Sequence, residues 1–446
     1  AKTDSGWTIV RADPMRDDQW VELRTVAKPT DVRVDPLRST EDRDRRNNVP
    51  GGLAQLDGRA TMSVPDWPFL AQTDRDRQLV AIGPKAWYTG PGGFTGAVRF
   101  RSNYAAVGDV AWDRRELGIA LSSQVPAGAN GAEHVMGWLT LSNPQLPFFY
   151  RPLVGVSAGV WALDGITKVE LKKDWNLSSF LYANGPQQHL KLGFDATLPY
   201  DIRWLDFERW QAKNVYDANA EFTWKSRLPT MLSARIKAFA GLDRDVGAGT
   251  TRDFERVEGE VAQTGSFGGG DRWTHKLRFF AGATKDAPLQ RSIGLASLDV
   301  TDTYTNDFLR GQNALFARSN VHFVTPGGAG LRGYSPLLLV QRVAAVNGEL
   351  ATSVIRARPK TMVRLVQLVA FGDAAWGKFP GDFGGSGRTF ADAGVGVLAR
   401  DQLWDRPVTI RFDVPLYVRD PDFAPGGHEG DDRVKLRWTF SFADLW

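Results

Sequence analysis

The chain has 446 residues, with 46 Gly, 24 Pro, 16 Trp and no Cys. A hydrophobic fraction of 42% excludes an intrinsically disordered chain, and the lack of Cys excludes a disulfide scaffold, a thiolate zinc site and a cysteine nucleophile. The 55 basic and 51 acidic groups are too evenly matched to indicate a nucleic-acid partner. The length fits two or three soluble domains or one large β-barrel with appendages. No apolar run approaches the ~18 residues that a transmembrane helix needs; the longest are short stretches such as Leu337 to Val340.

The chain begins Ala1-Lys2-Thr3-Asp4, neither an initiator Met nor a signal peptide, so a processed product or a piece of a longer protein is expected. Residues 1–48 read as short strands: Trp7-Thr8-Ile9-Val10, Trp20-Val21-Glu22-Leu23 and Asp31-Val32-Arg33-Val34. A Val34-Asp35-Pro36 segment and, beyond a charged run, Asn47-Asn48 close the stretch. This pattern resembles the tail of the β-sandwich that follows the catalytic domain in aminopeptidase N-like zinc metallopeptidases. The resemblance implies a catalytic part upstream. A strand-rich periplasmic stub with a charged linker accounts for the same residues. Residues 49–78, with Pro50-Gly51-Gly52 and Pro65-Asp66-Trp67-Pro68, read as a linker.

From Leu79 to the end the dominant pattern is alternation with period 2. Leu190, Leu192, Phe194, Ala196 and Leu198 take one face against Lys191, Gly193, Asp195 and Thr197. Tyr216 to Trp224, Leu232 to Ala240 and Val408 to Leu416 repeat the pattern. Successive side chains of a strand point to opposite faces, so each run is a two-faced strand. The runs last about 9–12 residues, the length that crosses a bilayer when tilted. Strand centres are expected near Ile82, Val98, Ile119, Leu139, Ala158, Val169, Phe194, Ala220, Ile236, Gly259 and Phe279. After a long interruption over 285–341, further centres fall near Glu349, Leu368, Val395, Phe412 and Phe440. The fold expected is all-β: a transmembrane antiparallel β-barrel of about sixteen strands over 79–446, with fourteen or eighteen also compatible. Trp87, Trp138, Trp175, Trp224, Trp273 and Trp376, at run ends, are expected in its interfacial girdles. Arg235, Lys237, Arg411, Lys435 and Arg437, balanced by Asp195, Glu221 and Asp413, are expected to line the lumen. A large soluble sandwich with exposed aromatics would alternate too; no blade-like repeat supports a propeller.

The interruption is too long for an ordinary connection, so it is expected to be functional or to fill the lumen. It contains Gly327-Gly328-Ala329-Gly330-Leu331-Arg332-Gly333-Tyr334. That sequence resembles the loop-tip motif of the sixth external loop in the BamA/TamA outer-membrane assembly-factor superfamily, which includes two-partner secretion transporters and barrels carrying patatin-like enzymes. Downstream, Asn347-Gly348-Glu349-Leu350, Phe371-Gly372-Asp373-Ala374, Gly394-Val395-Gly396 and Asp413-Val414-Pro415-Leu416 resemble that superfamily's final strands in order. The resemblance implies a loop folded into the lumen, with Arg332 pairing with Asp373, Glu349 nearby and Phe371 packed beside it. A planar guanidinium matches a carboxylate where an ammonium does not, and Gly333 is expected to free the backbone for a sharp turn. The terminus, Phe440-Ser441-Phe442-Ala443-Asp444-Leu445-Trp446, resembles the signal by which such barrels are recognised for assembly, with Phe440, Phe442 and Trp446 as its aromatics. Ala443 departs from the Gly common there.

No POTRA domain of the superfamily is visible in residues 1–78. Of the five His, only His428-Glu429 begins a His-Glu-x-x-His motif, and no second His follows. The chain also has no Gly-x-Ser-x-Gly elbow and no phosphate-cradling Gly-x-x-x-x-Gly-Lys loop. No catalytic residue and no cofactor are therefore expected in it. Asp420, Asp422, Glu429, Asp431 and Asp432 form an acidic stretch that offers calcium-type oxygen ligands but fits a solvated charged loop better. The expected location is the outer membrane of a diderm bacterium. Expected partners are the membrane lipid, the barrel assembly machinery during biogenesis, and a fused or associated peptidase-like domain or an envelope complex. The expected function is to anchor or translocate that upstream domain; a solute or protein secretion channel and a structural subunit are the rivals.

Overall fold

A computed structural model of the chain describes residues 1–4, 6–10, 22–33, 61–65, 78–89, 92–105, 111–126, 134–142, 154–178, 186–205, 209–226, 230–268, 272–305, 327–356, 363–380, 387–403 and 406–441. Near the start, β1 (Lys2–Thr3) and β2 (Gly6–Trp7) form a small antiparallel ribbon, bridged from Lys2 to Asp31. The strands expected around Trp7 and Asp31 shrink to these contacts, and Glu22 and Leu23 are in no strand. Ile9 and Val10 stay exposed, because no second sheet among the described residues covers them. Trp20, Val21, Val34, Asp35, Pro36, Asn47 and Asn48 lie outside the described residues.

The rest is one ring of strands. β3 (Thr61–Pro65), β4 (Gln78–Thr89), β5 (Gly93–Ala105), β6 (Ala111–Ser122), β7 (Val135–Ser142) and β8 (Val154–Leu163) come first. β9 (Ile166–Asn176), β10 (Gln187–Pro199), β11 (Lys213–Ser226), β12 (Met231–Asp245), β13 (Thr251–Phe267) and β14 (Trp273–Lys285) carry the wall to the interruption. Inside the interruption lie β15 (Ile293–Gly294), the short helix α1 (Val300–Thr305) and β16 (Leu339–Val340). β17 (Arg342–Arg356), β18 (Val363–Lys378), β19 (Arg388–Leu403), β20 (Arg406–Val418) and β21 (Thr439–Ser441) complete the wall. From β4 to β21 each wall strand pairs antiparallel with the next, β14 meeting β17 across the interruption. All sixteen expected strand centres fall inside these strands. The ring closes through β3, which lies between β21 and β4 and runs parallel to β4. The stretch read as a linker therefore contributes a strand to the wall.

The wall is apolar outside and polar inside. Ile82, Val98, Ile119, Leu139, Ile236 and Phe279 point outward and are each 46–58% exposed. Asp195, Asp217, Glu258, Arg278, Arg411 and Asp413 point inward and are buried. In water such a surface would be an aggregation-prone apolar patch over the whole molecule. In lipid it is the required arrangement, because a closed ring satisfies its own backbone groups. The chain is an outer-membrane-type transmembrane β-barrel, and the soluble-sandwich alternative is set aside.

Two expectations about side-chain direction are corrected. Trp87 and Trp138, assigned to the girdle, share the inward face with Ala81 and Met136 and are 7% and 4% exposed. A run end alone does not say which parity faces lipid; the register does. Trp376 faces out, with 38% of its surface exposed. Lys435, assigned to the lumen, is exposed and precedes β21, because the last strand begins only at Thr439.

Candidate functional site

The described parts of the interruption, 286–305 and 327–341, lie in the lumen between Lys285, where the wall is left, and Arg342, where it resumes. The outgoing and returning arms are stitched together where β15 pairs with β16, Ile293 opposite Val340. Ile293, Leu295, Leu331 and Val340 then form a fully buried apolar cluster with Phe280 and Phe390 of the wall. The approach to the tip turns through Gly328 (φ 58°) and Gly330 (φ 76°), a backbone region that favours glycine. Gly333 has no such φ. A Cβ there would lie 2.8 Å from both Asp392 Cβ and Val418 Cγ2, so close packing of the loop on the wall, rather than turn geometry, requires glycine at 333.

Arg332 is fully buried. Its Nε and Nη2 donate to the two carboxylate oxygens of Asp373 on β18, each at 2.8 Å. Nη1 donates to Glu349 Oε2 on β17 at 3.0 Å, and Nη2 also reaches the Gly348 carbonyl at 3.3 Å. The guanidinium lies 4.0 Å from the ring centre of Phe371, adding a cation–π contact. Glu349 is shared: Arg411 Nη1 donates to it at 2.8 Å, while Arg411 Nε donates to Asp413 at 2.6 Å. Asn347 links tip and wall, donating to the Gly330 carbonyl at 3.2 Å and to Asp373 at 3.2 Å. Tyr334 ties the loop to β19, beside the Arg419 N–H that also donates to the Ala391 carbonyl. Its hydroxyl donates to the Ala391 carbonyl at 3.1 Å and accepts from the Ala391 N–H at 3.0 Å. Burial pushes that hydroxyl well above the usual tyrosine range, so it stays neutral. Leu331, Arg332, Gly333, Tyr334, Glu349, Phe371 and Asp373 are thus gathered in one buried cluster at the lumen wall.

A second set of anchors has no motif in the sequence. Arg291, in a short 3-10 turn of the interruption, pairs with Asp217 of β11 and donates to Thr301 Oγ1 at 2.6 Å. Arg256 of β13 donates to Asp299 at 2.9 Å and to the Arg291 carbonyl at 3.2 Å. Arg278 of β14 donates to the Gly328 carbonyl at 2.7 Å and is itself held by Glu260. Tyr304 of α1 shares its hydroxyl proton between the carbonyls of Leu163 and Ile166 at the β8–β9 turn, at 2.8 and 2.7 Å. Tyr304 belongs to a buried apolar cluster that also holds Trp87, Trp138, Trp161, Trp204 and Trp210, the last edge-on to its ring at 6.0 Å. The one signal available beforehand was parity, since Arg256 and Arg278 occupy inward positions; their loop partners are far away in sequence.

The other expected sites fare differently. Among the described residues no group of three or more His, Asp or Glu is arranged to hold a metal ion. In the stretch holding Asp420, Asp422, Glu429, Asp431 and Asp432, Asp431 pairs with Lys435 at 3.1 Å, and that contact holds its carboxyl below the usual range. The Asp432 carbonyl accepts from Arg437 at 2.6 Å. No three of these acids converge on one point, and the calcium reading is corrected to a solvated loop. Phe440 sits in β21 opposite Phe412, whereas Phe442 and Trp446 lie outside the described residues.

No protein-family model and no curated protein matches the chain. Among solved structures it is similar to CdiB from Escherichia coli, at 14% identity and a TM-score of 0.46, over 84% of this chain and 63% of that one. It is also similar to CdiB from Acinetobacter baumannii, at 12% identity and a TM-score of 0.40, over 81% and 58%. A third is BamA from Haemophilus ducreyi lacking POTRA domains 1-3, at 12% identity and a TM-score of 0.41, over 92% and 82%. The chain spans less than two thirds of either CdiB structure.

Proposed function

We propose that the chain is the barrel part of an outer-membrane protein of a diderm bacterium, and that it anchors and helps to translocate a domain upstream of it. The observation that carries this reading is the pinned loop: a lipid-facing barrel whose lumen holds its own chain, tied to the wall by Arg332, Arg291, Arg256 and Arg278. A loop fixed in the lumen by buried ion pairs narrows the passage left to solutes, and breaking any of those pairs leaves an uncompensated charge. That suits a barrel that holds a passenger and opens only during transit. On the resemblance of residues 1–48, the upstream domain is peptidase-like. Its partners are the barrel assembly machinery during biogenesis and the passenger itself.

Two measurements test the proposal. In planar bilayers the chain should show no stable open conductance; a steady single-channel current from the unmodified protein overturns the anchor reading in favour of a solute channel. In cells, a passenger fused before Ala1 should be held at the outer membrane only when the barrel follows it. Equal membrane retention without the barrel would overturn the anchoring role.

A further inference from the structure

Two adjoining cavities, of about 350 and 400 Å³, lie in the lumen between α1 and the wall from β6 to β12. Each is within the size range of small-molecule sites. They share Ser142, Ser157 and Asp302 and so form one chamber. Solvent reaches it, since the side chains of Asp302, Lys172 and Lys191 are 41%, 37% and 44% exposed. Its charges cancel. Asp174, Lys191, Glu221 and Lys237 alternate in sign as direct partners across β9 to β12, and all four line the chamber. An ion on such a row meets repulsion as well as attraction, whereas a neutral ligand that both gives and accepts hydrogen bonds can use every member of it. The lining groups that lack a hydrogen bond are oxygens. Ser142 and Ser157 face each other on β7 and β8, and neither hydroxyl has a partner among the described residues. Asp195 is 6% exposed, yet its Oδ1 accepts no hydrogen bond, Lys168 Nζ lying 3.6 Å away. The Asp302 carboxylate has Lys237 Nζ at 3.9 Å and accepts no hydrogen bond. One apolar surface completes the set. The Trp161 indole rests on the bare backbone of Gly159, where a Cβ would come within 2.1 Å of its Cη2. Its cross-strand partner Trp138 is already covered by Lys85, whose Nζ lies 4.7 Å from the ring centre.

We propose that this chamber is a saccharide site. A pyranose has a face of C–H groups, which stacks on Trp161, and a rim of hydroxyls. Those hydroxyls donate to Asp302 and Asp195 Oδ1 and exchange hydrogen bonds with Ser142 and Ser157, a serine hydroxyl being both donor and acceptor. An extended peptide is served less well. The strands that line the chamber are each paired on both sides, so they offer its backbone no free edge. The site stands whether or not an upstream domain is anchored.

The test uses the full chain in micelles of an amine-oxide detergent, which carries no sugar to compete. Cellotriose and maltotriose are the saccharide probes, and the tripeptide Lys-Ala-Glu is the peptide probe. Binding is read by saturation-transfer NMR and titration calorimetry. The expected result is one site for at least one of the two sugars and none for the tripeptide. Ser142→Ala combined with Ser157→Ala should weaken that binding about tenfold, the loss of roughly two hydrogen bonds, while the heat-modifiable gel mobility of the barrel stays unchanged. Trp161→Leu should weaken it further; should that variant fail to fold, the serine pair alone decides. No binding of either sugar at about 10 mM, well above a Kd of ~1 mM, overturns the proposal. So does sugar binding that the serine pair leaves unchanged, which places the sugar elsewhere. Binding of the tripeptide and of neither sugar overturns it in favour of a peptide site.

Discussion

Arg332 meets two carboxylates, a carbonyl and an aromatic face with no exposed surface of its own, so its side chain is determined on every side. Removing it strands Asp373, whose two oxygens both accept from the guanidinium. Breaking one partner of such a buried pair costs about 3–5 kcal/mol. Arg332→Ala should therefore lower the temperature at which the folded barrel loses its compact gel mobility. Arg332→Lys should recover only part of that loss, because a single ammonium cannot match both oxygens of Asp373 while reaching Glu349. If both variants keep the mobility transition of the parent, the clamp is not what holds the loop. Gly333→Ala tests a different quantity, since the space there is filled by Asp392 and Val418. It should destabilise through overpacking, by about 1–3 kcal/mol, and Gly333→Ser should be no milder.

At the scale of elements, the loop is held at two places, and only one of them was legible beforehand. The Leu331–Tyr334 motif and its partners on β17 and β18 stand out because their residue types and order are distinctive. Arg291, Arg256 and Asp299 have no such signature, because their meeting depends on how the interruption threads the lumen. The sixteen wall strands were legible because alternation is local: Tyr216 to Trp224 needs no distant partner to declare two faces. β3 was not, since Thr61–Pro65 is a strand only because the ring closes on it from more than three hundred residues away. Trp87 and Trp138 failed for a related reason, parity at a run end being set by register with neighbours. The second anchor makes its own prediction. Arg291→Ala combined with Arg256→Ala should expose the interruption to protease while the wall stays folded. Cleavage within 285–341 should speed up at least tenfold, the factor that about 1.4 kcal/mol supplies. Unchanged cleavage would place the retention of the loop on the Arg332 cluster alone.

For the whole molecule, what distinguishes a lipid-facing barrel from a soluble one is how the cost of a charge depends on depth. Outward side chains on this wall are apolar along the strands, but the cost of replacing one depends on how far it lies from the headgroups. An arginine on the lipid face costs about 2–4 kcal/mol near the bilayer midplane and about 0–1 near an interface. Leu117 lies mid-strand on β6 and Phe94 at the start of β5, both outward and exposed. In a protein solvated by water, both substitutions to arginine should be mild, because neither side chain is packed in a core. In the barrel, Leu117→Arg should lower the stability measured by denaturant-driven unfolding from phospholipid vesicles by about 2–4 kcal/mol, and Phe94→Arg by about 1 kcal/mol or less. Equal, small effects at the two positions would mean that the apolar belt does not face lipid. The inward face supplies the complementary contrast. Ser157 of β8 lies on the lumen side, so Ser157→Arg should cost less than Leu117→Arg despite sharing the same wall, because charge in this lumen already has partners such as Asp195 and Glu170 within it.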